Sequence, residues 1–239
     1  MRNTVIDYEE GVETMKKAFL ILTLVAVLFN LFACGQEVVV HYNNVSDFSD
    51  TQGYRNWYYL YADYDIYDAK QMIYDTANGN WRGEDFFCHI SVDSVHPGAN
   101  METIIAWTAP KDGIVEYDCL VRRTPSDPNG VGADGVYVYI AKTDTEDYLD
   151  SMTLRSNDLD EHELSGSAEV KKGQTLYFVT NFQSNYYFDQ TKWVIDIAHT
   201  TTEDSETVFA PGVAALCLAG ASAVFLIAAI LIRKRRQRI

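Results

Sequence analysis

The sequence predicts an all-β fold, an antiparallel β-sandwich of jelly-roll type over residues 36–199. Runs rich in β-branched and aromatic residues recur at short spacing, and turn-forming pairs such as Asn78-Gly79 and Pro97-Gly98 separate most of them. No long helical periodicity interrupts this pattern, which is typical of sandwiches and jelly rolls. The strand-like runs are 37–42, 57–64, 71–74, 86–92, 103–108, 114–122, 136–141, 175–181 and 192–198.

The clearest strand signal lies in residues 103–121. Val115, Tyr117, Cys119 and Val121 alternate with Glu116, Asp118 and Leu120 at a period of two, as in a half-buried strand. Between this run and the one before it, Pro110 and Gly113 suit a tight turn. We therefore predict a hairpin that pairs the two runs. The segments 147–154 and 158–164 remain ambiguous between strand and short helix.

The N-terminus predicts a secretory signal helix over residues 15–34. Lys16 and Lys17 precede an apolar run that ends at Ala33-Cys34-Gly35. An uncleaved anchor is one alternative, and lipidation of Cys34 is another, because residues 31–34 resemble a bacterial lipobox. Residues 1–14 are acidic and do not suit a signal, so we expect them to be an upstream extension of the true start at Met15.

The C-terminus predicts one transmembrane helix over residues 208–232, a stretch of 25 residues without a charge. The basic tail at 233–239 is expected on the cytoplasmic side. A short linker, 200–207, joins this span to the sandwich. The sequence therefore predicts a single-pass protein of a bacterial cell membrane with its domain on the extracellular side.

The charge balance limits the partners. The formal net charge is −15, and between the two apolar ends 30 acidic residues face 11 basic ones. Such a surface is expected to repel nucleic acid and anionic lipid. The five histidines lack zinc-site spacing, and no G-x-S-x-G motif occurs. We therefore predict a chain that is not an enzyme.

Several motifs occur in a familiar order. They are Phe48-Ser49-Asp50-Thr51-Gln52-Gly53 with Asn56-Trp57-Tyr58-Tyr59, then His96-Pro97-Gly98, Trp107-Thr108-Ala109-Pro110 with Gly113, and Gly132-Ala133-Asp134-Gly135-Val136. With them the chain resembles a jelly-roll, carbohydrate-binding-module-like domain of bacterial surface and secreted proteins. The resemblance covers residues 48–198 and implies a non-catalytic module that binds carbohydrate.

Tyrosines beside carboxylates are the candidate ligand-binding residues. Flat aromatic rings stack on the apolar faces of sugars, while nearby polar groups bond the hydroxyls. One set lies in and just after the strand-like run at 57–64, where Trp57, Tyr59 and Tyr61 would share one face of a strand; the alternative is that this face belongs to the core. The other set lies in the loop at 186–189, where sandwiches commonly carry their sites. The candidates are Tyr59, Tyr61, Tyr64, Asp65, Tyr67, Tyr186, Tyr187 and Asp189.

Two further sites are structural. Asp158, Asp160 and Glu161 form an acidic loop that could hold Ca²⁺, which prefers oxygen ligands; no other cofactor is expected. Cys88 and Cys119 are predicted to form a disulfide, because an exported domain permits one. Two buried free thiols are the alternative.

The sequence thus predicts a membrane-anchored extracellular module that binds glycan or cell-envelope polysaccharide. The alternative is a protein–protein module, either an adhesin or an accessory subunit that packs on a protein partner in the membrane.

Overall fold

A computed structural model describes residues 36–63, 65–145 and 147–203 of the chain. The predicted extension, signal, transmembrane helix and basic tail, and also Tyr64, lie outside these residues. In the described part, no helix has the length and apolar character to cross a membrane.

The strands are β1 (Gln36–Asn43), β2 (Trp57–Ala62), β3 (Lys70–Gln71), β4 (Ile73–Asp75), β5 (Asn80–Arg82), β6 (His89–Ile90), β7 (Val95–His96), β8 (Glu102–Thr108), β9 (Gly113–Arg123), β10 (Gly135–Lys142), β11 (Asp150–Arg155), β12 (His162–Val170), β13 (Thr175–Asn181) and β14 (Thr191–Glu203). Two short 3-10 helices span Tyr54–Asn56 and Ile66–Asp68.

The strands form two sheets, which confirms the predicted all-β fold. One sheet has the order β12-β9-β14-β7-β6-β5-β4, with β1 paired to β14. The other has the order β11-β10-β13-β8-β2-β3. Every described register between neighbouring strands is antiparallel.

The core lies between the two sheets and is rich in aromatic side chains. Trp57, Trp107 and Phe178 from one sheet and Trp193 and Ile195 from the other are fully or almost fully buried in a single cluster. Phe178 meets Trp193 edge to face, with ring centroids 6.1 Å apart. Because each large aromatic side chain removes a large apolar area from water, this cluster supplies much of the stabilisation.

The predicted hairpin around Ala109–Gly113 is wrong. β8 pairs with β2 and β13, whereas β9 pairs with β12 and β14, so this turn carries the chain from one sheet to the other. Gly113 permits the crossing, because a Cβ there would lie 2.2 Å from the carbonyl oxygen of Thr200 in β14. The turn is held by the loop before β13, since the Ala109 N–H donates to Gln174 O at 2.8 Å.

Three predicted boundaries change. The ambiguous segments at 147–154 and 158–164 contribute to strands β11 and β12 rather than to helices. The last strand runs to Glu203, past the predicted end at residue 199, because the ladder continues as far as Thr200 opposite Ile114. Half of the predicted linker at 200–207 is therefore part of the sheet.

Candidate functional site

Loops at one end of the sandwich enclose an open cleft of about 390 Å³. The turn before β6, the β6–β7 hairpin and the loop between β13 and β14 supply its walls. Six side chains dominate the lining: Phe87, His89, His96, Tyr186, Tyr187 and Gln190. A volume of this size is within the range of small-ligand sites.

The cleft walls are aromatic and open to solvent. Tyr186 meets Tyr187 edge to face at 5.0 Å, and its ring lies 5.4 Å from that of Phe87. Tyr187 is 51% exposed and Phe87 is 46% exposed. Large aromatic side chains that remain this accessible present flat apolar faces to a ligand.

Two histidines supply hydrogen-bonding atoms. The rings of His89 and His96 stack 5.7 Å apart on paired positions of β6 and β7. Each Nδ1 faces a backbone carbonyl, that of Phe87 at 2.8 Å and that of Pro97 at 2.6 Å. A carbonyl oxygen can only accept, so each Nδ1 carries the proton. Burial lowers the pKa of both rings, which keeps them neutral and leaves each Nε2 as an acceptor.

The tyrosine loop is held by the loop at 130–134. Oδ2 of Asp134 accepts hydrogen bonds from the N–H of Ser184 at 3.1 Å and the N–H of Asn185 at 3.2 Å. The Asn185 side chain in turn donates to the carbonyl of Gly132 at 2.6 Å. Through these contacts, Gly132 and Asp134 fix the position of the loop that carries Tyr186 and Tyr187.

A buried contact between Arg123 and Asp189 lies beneath the same loop. The Arg123 guanidinium approaches Asp189 Oδ1 at 3.4 Å, and both side chains are fully buried. The same guanidinium donates to the carbonyls of Phe188 at 2.5 Å and Arg155 at 3.2 Å, and also to that of Ser156. Burial raises the pKa of Asp189 to about 8; Asp134 adds to the rise and Arg123 opposes it.

The structure divides the predicted ligand-binding residues. Tyr186 and Tyr187 line the cleft, so their predicted contact with a ligand stays a prediction at this site. In contrast, Tyr59, Tyr61 and Asp189 are core residues, which corrects the prediction that they contact ligand. Tyr59 stacks on Trp81 with centroids 5.1 Å apart. The alternation of residues along β2 predicted that Tyr59 and Tyr61 share one face of the strand. It did not predict that this face packs in the core.

The predicted residues Asp65 and Tyr67 lie away from the cleft. Asp65 accepts a hydrogen bond from the Tyr67 N–H at 2.9 Å and so begins the short helix Ile66–Asp68. The Tyr67 hydroxyl donates to Thr145 O at 2.7 Å, and its ring meets Tyr177 of the six-stranded sheet edge to face. These two residues therefore join loops over an outer sheet face and do not line the cleft.

The two structural predictions are also corrected. Among the described residues, no group of three or more His, Cys, Asp or Glu could hold a metal ion, and this includes Asp158, Asp160 and Glu161. Asp158 instead contacts His162 Nε2 at 2.9 Å. Cys88 and Cys119 are free and buried.

The free thiols have a packing reason. Cys119 lies opposite Leu164 and Ile195 in the eight-stranded sheet. Cys88 packs between Gly83 and Gly98, where added Cβ atoms would approach it to 2.8 and 2.9 Å. The two thiols therefore fill different parts of the core.

Phe87, His89, His96 and Gln190 belong to the site but were not predicted from the sequence. The five histidines have no zinc-ligand spacing, so they gave no signal of that kind. A usable signal was present, since His89 and His96 flank a short polar turn and so fall on paired hairpin positions. Nothing in the sequence brings this hairpin to Tyr186.

No family model matches this chain, and no curated protein matches it. Several solved structures are similar. Rabbit GITRL is 16% identical, with 41% of this chain and 73% of that chain covered and a TM-score of 0.30. A mannan-recognising carbohydrate-binding module, TmCBM27, is 12% identical, with 70% and 99% covered and a TM-score of 0.32. A carbohydrate-binding module of family 29 is 8% identical, with 73% and 99% covered and a TM-score of 0.30. At these values the likeness carries no functional argument.

Proposed function

We propose that this chain is a non-catalytic glycan-binding protein of a bacterial cell surface, and that its ligand lies in the cleft formed by Phe87, His89, His96, Tyr186 and Tyr187. The observation that carries the proposal is the combination of exposed aromatic rings with neutral hydrogen-bonding groups in one open cleft. The predicted signal and anchor support its location outside the membrane.

The chemistry of the cleft suits a sugar ring. The exposed faces of Phe87 and Tyr187 can stack on sugar C–H groups. Each histidine Nε2 accepts a hydrogen bond, which a sugar hydroxyl can donate. Gln190 offers both a donor and an acceptor from its amide, and its side chain makes no hydrogen bond within the described residues. These groups recognise hydroxyl-rich ligands.

The lining argues against glycoside hydrolysis at this cleft. That reaction commonly uses two carboxyl groups on either side of the scissile bond. No Asp or Glu is among the described residues that line the cleft. The nearest carboxyl in sequence, Asp189, is buried against Arg123 and cannot reach a bound sugar.

A glycan array probed with the full chain tests the proposal. Tyr187→Ala should weaken binding of the best array ligand about fivefold, because stacked aromatic contacts are worth roughly 1 kcal/mol each. Tyr54→Ala is the matched control, since Tyr54 is 52% exposed and lies outside the cleft. Absence of binding to every glycan, or an equal loss in both variants, would reject the proposal.

A protein–protein module is the second candidate, favoured by apolar side chains around the cleft. Val131 is 96% exposed and Phe86 is 75% exposed. Exposed apolar groups that cluster mark interaction sites. Detergent-stable copurification with one membrane protein, abolished by Val131→Asp and accompanied by no glycan binding, would favour this candidate.

A further inference from the structure

A second, smaller pocket adjoins the aromatic cleft. Its volume is about 230 Å³, and Arg122, Thr124, Lys192 and Asp93 are among its lining residues. Gln190 lines both this pocket and the cleft, so the two form one continuous surface. We call this second pocket the basic pocket.

The basic pocket contains two opposed cations. Arg122 in β9 and Lys192 in β14 are directly paired in the antiparallel register. Like charges at such positions are destabilising, because their side chains lie close together. Within the described residues neither side chain makes an ion pair or hydrogen bond, although Lys70, Arg82 and Lys171 all pair with carboxylates.

A hydroxyl in the same pocket is also unpaired. Thr124 Oγ1 is buried and has no hydrogen-bond partner among the described residues. Its backbone N–H donates to Gln190 O at 2.7 Å, which fixes the residue at the junction with the cleft. A buried hydroxyl without a partner is costly, so the polar lining of this pocket is incompletely paired.

The pocket keeps a positive excess despite the acidic chain around it. Asp93 is the only carboxylate in its described lining, and its Oδ1 already accepts a hydrogen bond from Ser91 Oγ at 3.0 Å. The lining therefore contains two positive charges, Arg122 and Lys192, and one carboxylate, Asp93, which already accepts a hydrogen bond from Ser91. An oxyanion placed here would meet the positive charges of Arg122 and Lys192.

We propose that the basic pocket binds an anionic substituent, a carboxylate or a sulfate, of the glycan whose ring lies in the aromatic cleft. This inference rests on the proposed function and narrows it to acidic glycans. The net negative charge of the chain would then repel such ligands except at this pocket, which makes Arg122 and Lys192 determinants of specificity.

Matched probes test the inference on the full chain. Oligogalacturonate and its fully methyl-esterified form share a backbone but differ in charge, and dextran sulfate and dextran form a second pair. We expect the charged member of at least one pair to bind more tightly. Arg122→Gln and Lys192→Gln should each weaken its binding roughly three- to tenfold, an effect that added salt reduces.

The controls separate the possible failures. Lys172→Gln removes one exposed positive charge outside the pocket and should leave affinity unchanged. Equal binding of both members of each pair, with no effect of Arg122→Gln or Lys192→Gln, would overturn this inference while leaving the proposed function in place. If no glycan on the array binds, both are overturned. Which pair responds identifies carboxylate or sulfate.

Discussion

The carboxylate of Asp134 holds Ser184 in place across two loops. One oxygen, Oδ2, accepts from the backbone N–H of Ser184 at 3.1 Å and also from its hydroxyl. It accepts a third hydrogen bond from the N–H of Asn185. The aromatic wall of the cleft is thereby positioned by a residue that lies about 50 positions earlier in the chain.

Replacing Asp134 with alanine should loosen this wall. Loss of the shared acceptor leaves two backbone N–H groups without their partner, which costs about 1–3 kcal/mol of stability and weakens glycan binding. Thermal denaturation and titration with the array ligand measure the two effects. Asp127→Ala is the control, since that carboxylate accepts locally from the Asn129 N–H. Unchanged affinity in Asp134→Ala would mean that the loop is held in another way.

Gly132 should be intolerant of a side chain for two reasons. Its φ is +95°, and an added Cβ would lie 2.8 Å from Tyr187 Cδ2. We expect Gly132→Ala to lose about 1–2 kcal/mol from backbone strain and, in addition, to lower ligand affinity because Tyr187 must move. Gly173→Ala carries the same strain at φ +88° with no atom within 4 Å. Equal affinities for the two variants would contradict the proposed role of Tyr187.

The carboxyl of Asp189 should make stability depend on pH. Its pKa is raised from 3.8 to about 8 by burial, so the folded state binds the proton more tightly than the unfolded state. This stabilisation is complete below the unfolded pKa and is lost as pH rises through about 8. Urea unfolding of wild type and Asp189→Asn should therefore diverge between about pH 5 and pH 8.5, with the variant gaining at least about 1 kcal/mol in relative stability. Parallel curves would refute the raised pKa.

Tyr59 should behave as a core residue and not as a ligand contact. Tyr59→Ala removes a buried ring that stacks on Trp81 and should cost about 3–5 kcal/mol. Tyr59→Phe keeps the ring and should stay within about 1 kcal/mol of wild type, with glycan affinity unchanged. Chemical denaturation and ligand titration decide the matter, and a large affinity loss in Tyr59→Phe alone would place its hydroxyl at the ligand.

Cys88 and Cys119 should react with alkylating reagent only after unfolding. Burial raises the pKa of Cys88 to about 12 and that of Cys119 well above its usual value, so neither forms thiolate in the folded state near neutral pH. Peptide mapping after denaturation without reductant should find both labelled. Recovery of a peptide that links the two would show a disulfide.

Local periodicity predicted strands well but not their partners. The alternation from Val115 to Val121 identified β9, whose buried positions agree with it. The partners of β9 are β12 and β14, about 40 to 85 positions later in the chain. A turn with Pro110 and Gly113 has the same sequence signature whether it reverses the chain within a sheet or carries it between sheets. Strand β12 escaped prediction because Gly166 and serines interrupt its apolar alternation.

Only part of the cleft could be predicted, because local sequence shows which residues are aromatic but not which distant segments they meet. Tyr186 and Tyr187 are consecutive aromatics in a polar loop, a signal that sequence alone carries. Their partners Phe87 and His96 come from a hairpin about 90 positions earlier, and only the sheet order brings them together.

The strand β14 lies between β9 and β7, in the middle of its sheet. The neighbouring strands β9 and β7 are synthesised earlier than β14. Neither can form its ladder with β14 until almost the last residues of the domain have been made. Under the proposed export of this chain, the sheet would stay incomplete until β14 has emerged, which suits passage through a narrow channel. A nonsense mutation near codon 190 would delete β14, an interior strand of the eight-stranded sheet, and proteases would degrade the truncated product.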